Sequence, residues 1–189
     1  MAMATAAHQL TYEDLCRVRE DGNRYELIEG ELVLVAAPSP LHQRLLLWLG
    51  ATFLRLVQDT GLGEVCVAPV DVHLADGSYV QPDVLVVLAD RVGIVERALI
   101  EGEPSLVVEI ASRSSRPRDR GQKANLYARV GVPEYWLADA DDESITVQAK
   151  PRDGKYQTVW RGTGIVRAET VPGLEVDLGK FFARERARR

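Results

Sequence analysis

Cysteine is nearly absent from this sequence: Cys16 and Cys66 are the only two. A disulfide scaffold is thereby excluded. Both sit in segments that read as helix and strand, without metal-ligand neighbours, and are expected as small buried hydrophobes of a reducing cytoplasm. Long apolar runs are missing as well. The longest, Leu45 to Leu54, is bounded by Arg44 and Arg55. A membrane span needs about 20 such residues, so this stretch reads as a buried helix and no membrane partner is expected. The opening MAMATAAHQL has neither a basic start nor a long apolar segment, so no secretory signal is visible. His8, His42 and His73 are scattered without zinc spacing. No glycine-rich phosphate loop, Gly-x-Ser-x-Gly elbow or dinucleotide fingerprint occurs, so no nucleotide cofactor is expected. Internal repeats and Pro/Gly/Ser-rich linkers are absent too. We read a loosely held segment at 1–9, one domain over 10–183 and a basic tail at 184–189.

What remains is ordinary globular composition, with 46% hydrophobic and 27% charged residues and a net charge of −5. The basic charge is concentrated. Arg113, Arg116, Arg118 and Arg120 face only Asp119 in their segment, and Lys180, Arg184, Arg186, Arg188 and Arg189 face only Glu185. An acidic body with such segments can still meet phosphates locally. Thr11, Glu13 and Asp14 open a helix to about Arg19. Tyr25–Ile28 and Leu32–Ala36 read as a hairpin, and a long helix follows over about Leu41–Gln58. Short strands come next, then Val84–Leu88 and Leu106–Ala111, nearly continuous apolar runs expected to be covered on both faces. A second long helix spans about Pro117–Val130, and Glu134–Ala138 is a strand. Ile145–Ala149, Tyr156–Trp160 and Ile165–Val166 read as a C-terminal meander, with a short helix from about Leu178. The class is α/β or α+β, a mixed central sheet flanked by helices.

One carboxylate, Glu109, interrupts the apolar strand Leu106–Ala111. An unpaired buried carboxylate costs several kcal/mol even after relaxation, so a cation, a basic side chain or a shared proton must accompany it. Pro82-Asp83 opens the other apolar strand; proline belongs at a strand start, which aims Asp83 near the sheet rim. Two acids on neighbouring strands suit a hard divalent cation. Arginine fills 19 of the 23 basic positions, so Lys123 stands out on its helix. On spacing alone, however, it is an i,i+4 surface pair with Asp119. Glu26 alternates with Tyr25 and Leu27 and reads as facing solvent or the site. His42, at the start of the long helix, is a capping, phosphate-contacting or exposed residue.

The order of these pieces resembles the Uma-two family of restriction-endonuclease-like bacterial proteins. The resemblance rests on Tyr25-Glu26-Leu27-Ile28-Glu29-Gly30-Glu31-Leu32, then Pro38 and His42, Pro82-Asp83, Val108-Glu109-Ile110-Ala111-Ser112, Asp119, Lys123 and Tyr127, and Gly131-Val132-Pro133-Glu134-Tyr135-Trp136-Leu137-Ala138-Asp139. It covers about residues 10–180. The resemblance implies the PD-(D/E)xK nuclease fold, with Asp83 and Glu109 as the acids. The usual lysine two residues after the glutamate is here Ala111, and Lys123 on the following helix takes its place.

The resemblance thus implies a metal-dependent DNA endonuclease. Mg²⁺, or Mn²⁺ in its place, would be held by Asp83, Glu109 and the backbone carbonyl of Ile110. Lys123 would orient the attacking water or neutralise charge on the phosphate. Glu26 would hold a second ion or a bound water, and His42, Arg113, Arg116, Arg118 and Arg120 would contact nucleic acid. A catalytically idle dimerisation or binding module is the alternative, favoured by Ala111. Three expectations follow: Asp83 and Glu109 within reach of one ion; a two-fold homodimer contacting through the C-terminal meander and Trp160; and the Lys123 ammonium within about 4–6 Å of the Asp83–Glu109 pair, so that Lys123→Ala removes cleavage while leaving folding nearly unchanged, as befits a residue bordering the surface.

Overall fold

A computed structural model describes residues 10–188, so the loosely held segment expected at 1–9 lies outside the described residues. The chain opens with α1 (Tyr12–Val18), capped by Thr11 and Asp14, each accepting from the other's backbone N–H. Leu15 takes the single buried position of this short helix, which leaves Cys16 exposed, while Cys66 is half-buried. Burial of both thiols was expected; a seven-residue helix with one inward face does not supply it. Strands β1 (Arg24–Ile28) and β2 (Glu31–Val35) form the hairpin. Glu29 and Gly30 between them have φ of 54° and 83°, as a two-residue turn matched to the strand twist requires.

Ser39 caps α2 (Pro40–Phe53), whose proline stands where no helical N–H is needed. Its buried residues Leu45, Leu49 and Phe53, followed by Val57, recur at helical spacing. The helix runs on through a π-helical turn, Leu54–Gln58. Then come β3 (Gly63–Val67), β4 (Val72–His73), β5 (Tyr79–Val80), β6 (Val84–Leu88), β7 (Ile100–Glu101) and β8 (Leu106–Ala111). A helical turn α3 (Arg116–Arg118) leads through a second π-helical turn, Asp119–Lys123, into α4 (Ala124–Val130). The rest is β9 (Glu134–Asp139), β10 (Ser144–Arg152), β11 (Lys155–Gly162), β12 (Ile165–Arg167), β13 (Glu175–Asp177) and α5 (Leu178–Arg186).

The main sheet has six strands in the order β11-β10-β9-β8-β6-β3, with β8 and β9 parallel and the other pairs antiparallel. Val84, Val86, Leu106, Val108, Ile110 and Trp136 face α2 and α5 on one side. Leu85, Val87, Val107, Ala111, Tyr135 and Leu137 face α4 on the other. The sheet is therefore covered on both faces, as the unbroken apolar runs imply. A smaller sheet, β2-β1-β5-β4-β7, adds its buried residues to the α4 side. On the edge strand β3 of the main sheet, the Gln58 side-chain oxygen accepts the Val65 backbone N–H at 3.2 Å.

The C-terminal end differs in two ways from its expected form. After Gly162 the chain leaves the sheet, and β12 pairs with β13 in a separate ribbon whose Val166 and Val176 are buried. Trp160 leans on the core rather than standing free. The basic tail does not begin at 184 either, because α5 buries Phe181, Phe182 and Glu185 and so remains ordered helix through Arg186. Among the described residues no helix is long and apolar enough to cross a membrane.

Candidate active site

Strand alternation decides which carboxylates meet. In β8, Val108 and Ile110 face α2, so Glu109 between them faces α4. Glu109 is 4% exposed. Lys123 reaches it from the end of the π-helical turn, with Nζ 2.9 Å from Glu109 Oε1 and 2.8 Å from Glu26 Oε1. Glu26 comes from the smaller sheet, where β1 turns it inward beside the backbone N–H of Gln81, 2.8 Å away. Tyr127, one turn after Lys123, donates its hydroxyl to the same Glu109 Oε1 at 2.7 Å. Asp83, just ahead of β6, accepts the Ile110 N–H at Oδ2, 2.7 Å away, and meets His42 Nε2 at 3.2 Å. Three carboxylates and one ammonium thus lie in a cleft of about 140 Å³ also lined by Arg24, Pro38, Ser112, Arg118 and Asp119. That is smaller than the 300–1,000 Å³ typical of small-molecule pockets, and suited to a phosphate group and a few waters.

Burial pushes the Glu109 carboxyl above its ordinary value, against the pull of Lys123, and Asp83, Asp119 and Glu26 push upward with it. Burial alone would lower the Lys123 ammonium, but Glu109, Glu26 and Asp119 together hold it above its ordinary value. The ammonium is therefore charged, the counter-ion of a buried acidic cluster. Burial, reinforced by Glu109, drives the Tyr127 hydroxyl far upward, so it remains a donor. Asp119 is raised by burial as well.

Lys123 and Tyr127 both end on Glu109 Oε1, and Ile110 and His42 both meet Asp83 Oδ2. The other oxygen of each acid is left to the cleft, and Glu26 Oε2 is buried without a hydrogen-bond partner. These hard oxygen donors fit Mg²⁺, which is held by one or two carboxylates and keeps its waters. They do not make an all-protein cage: among the described residues no three His, Cys, Asp or Glu side chains group as metal ligands.

A family model, Uma2, described as "Putative restriction endonuclease", matches residues 10–179. The chain belongs to the Uma2 family. A Synechocystis sp. protein described as uncharacterized is similar to it, 28% identical over 141 residues that cover 74% of this chain and 79% of that one. The fold is also that of a solved Anabaena variabilis protein described as a putative nuclease belonging to DUF820. The TM-score is 0.74 at 17% identity, covering 92% of this chain and 98% of that chain.

In this Uma2 protein Glu26, His42, Asp83, Glu109, Ile110, Arg118 and Lys123 line one cleft. Other expectations change. Lys123 is 3% exposed and no surface pair; the wide turn carries its stem inward. Glu26 is 1% exposed, not solvent-facing. Arg116 and Arg120 are held by Asp139 at 2.7 and 3.0 Å, with Asp141 and Asp142 beside them. Arg113 is exposed on a turn and does not line the cleft. The long-range acids of β9 and its turn, invisible within the 113–120 segment, claim two of its four arginines. Sequence reasoning missed Gln81, which supports Glu26 through its backbone while Arg24 and Asp71 grip its side chain. The only signal was its place next to Pro82-Asp83. It also gave Tyr127 no role at Glu109; the four-residue interval after Lys123 was the available cue.

Proposed function

We propose that this protein is a Mg²⁺-dependent endonuclease that hydrolyses phosphodiester bonds in DNA. The observation that carries the reading is the Lys123 ammonium held between Glu26 and Glu109 in the cleft that also contains Asp83. Mg²⁺, or Mn²⁺, on Asp83, Glu109 and the Ile110 carbonyl would supply Lewis acidity and a more acidic bound water. Ile110 suits that part, because the N–H and C=O of a strand residue share an edge and its N–H already meets Asp83. Lys123 and Tyr127 fix Glu109 by one oxygen and keep the other aimed at the cleft. Lys123 adds positive charge where charge builds on the phosphate. Arg118 pairs with no carboxylate among the described residues and leaves its Nε without a partner, while Arg24 is taken up by Gln81; it is the guanidinium best placed to contact a phosphate. Glu26 offers its unpaired Oε2 to a water or a second ion.

Ala111 is buried in β8, so no lysine can enter from the usual place; in this reading Lys123 supplies the ammonium from the opposite element. Two sites are needed to cut both strands, which favours a two-fold homodimer in the cytoplasm. The test is cleavage of supercoiled plasmid and of branched DNA with Mg²⁺, with Mn²⁺ and with chelator, beside Asp83→Ala. Metal-dependent nicking that Asp83→Ala abolishes is expected. A folded protein that cuts neither DNA with either metal would instead mark the idle-module reading as right.

A further inference from the structure

Lys123 owes its position to an unusual piece of helix. Between α3 and α4 the residues Asp119–Lys123 form a π-helical turn, the second in the chain after Leu54–Gln58 among the described residues; such a turn carries one residue more than an α-helical turn, is rare overall and is frequently found at functional sites. Such a turn disturbs the i→i−4 ladder, and a side chain often enters where it does so. Here that side chain is Tyr135. It is fully buried on β9, and its hydroxyl donates to the Asp119 backbone carbonyl at 3.0 Å. Its ring packs between Tyr127 and Tyr156, with centroids 5.4 and 6.1 Å away. The Tyr135 hydroxyl forms no hydrogen bond to Glu26 or Glu109; its hydrogen bond goes to the turn, while its ring touches the Tyr127 ring.

We propose that Tyr135 is a positioning residue, whose hydroxyl holds the π-helical turn and thereby keeps the Lys123 ammonium between Glu26 and Glu109. An ordinary turn would rotate Lys123 relative to Asp119 and withdraw its stem from the cleft. The consequence for cleavage rests on the nuclease reading; the placement of Lys123 does not.

The test separates the two. The chain has four lysines, and Lys150, Lys155 and Lys180 are exposed, so they serve as internal references for acylation by an amine-reactive ester read by mass spectrometry. In wild type Lys123 should be the protected one. Tyr135→Phe keeps the ring and removes the hydroxyl; Lys123 should then react about tenfold faster, the equivalent of one lost hydrogen bond. Tyr156→Phe also removes a tyrosine hydroxyl bond, partly buried, to the Val132 carbonyl at 2.7 Å, and should leave Lys123 protected. In cleavage, Tyr135→Phe should lower kcat about tenfold with KM held within about twofold. Unchanged protection of Lys123 in Tyr135→Phe would overturn the proposal. So would equal unmasking in Tyr156→Phe, since that would be general loosening. Unmasking in a protein that cuts no DNA would leave the positioning role standing and defeat the nuclease reading.

Discussion

Consider Lys123→Met, which removes one charge and keeps most of the stem. Lys123, Glu26 and Glu109 are 3%, 1% and 4% exposed, and the ammonium lies 2.8 and 2.9 Å from the two carboxylates. Without it, the two buried acids keep hydrogen bonds from neutral groups alone, the Gln81 N–H to Glu26 and the Tyr127 hydroxyl to Glu109. Breaking a buried pair by deleting one partner costs about 3–5 kcal/mol. For a domain of 150–250 residues each kcal/mol moves Tm by about 2–4 °C, so the melting temperature should fall by roughly 6–20 °C. Thermal melts and urea titrations of the metal-free protein measure this, with the urea slope unchanged if only the native state is affected. Adding Glu109→Gln to Lys123→Met should recover at least about 1 kcal/mol, since neighbouring charges couple. A Lys123→Met protein melting within about 2 °C of wild type would refute the reasoning, because a surface lysine behaves that way.

Acid sensitivity should arise partly at Asp71. Burial alone would raise its carboxyl, but hydrogen bonds from Arg19, Gln81 and Tyr12 outweigh it and hold it below 3.8. A depressed carboxylate stabilises the fold above its ordinary value, and that stability is lost as pH falls through the lowered one. The stability gap between wild type and Asp71→Asn in urea should therefore shrink below about pH 3.8; a constant gap contradicts it. Among the arginines, Arg118→Ala should reduce the salt dependence of DNA binding by about 0.9 in log–log slope. Arg116→Ala and Arg120→Ala should leave that slope alone and lower Tm instead, as measured by fluorescence anisotropy and thermal melts. Equal slopes lost at all three positions would show that Asp139 does not hold its two arginines in solution.

Elements set by local pattern were legible. The Thr11 cap, the Glu29-Gly30 turn, the two doubly covered strands and the long helices each depend on residues adjacent in sequence. Asp83 and Glu109 were legible because a charge in an apolar strand is conspicuous. The depth of Lys123 was not, since an α-helical spacing places it beside Asp119 at the surface and no local rule announces a π-helical turn. Glu26 was ambiguous for a related reason: alternation tells which residues share a face, but not which face the second sheet turns toward the first. The arginines failed differently. Their charge is visible in sequence, whereas the acids that occupy two of them arrive from β9, nineteen or more residues away.

The hydrogen bond from Val65 to Gln58 has a bearing on assembly. An open sheet edge offers a row of free amides to any other strand, including the same strand of another copy. On β3 the Val65 amide is already occupied, by a side chain that the helix itself delivers from the end of its own π-helical turn. A second β3 could dock at that amide only by evicting Gln58. Pairing of β3 with a second β3 therefore competes with a contact that the fold itself supplies, and this edge is guarded by its own preceding helix.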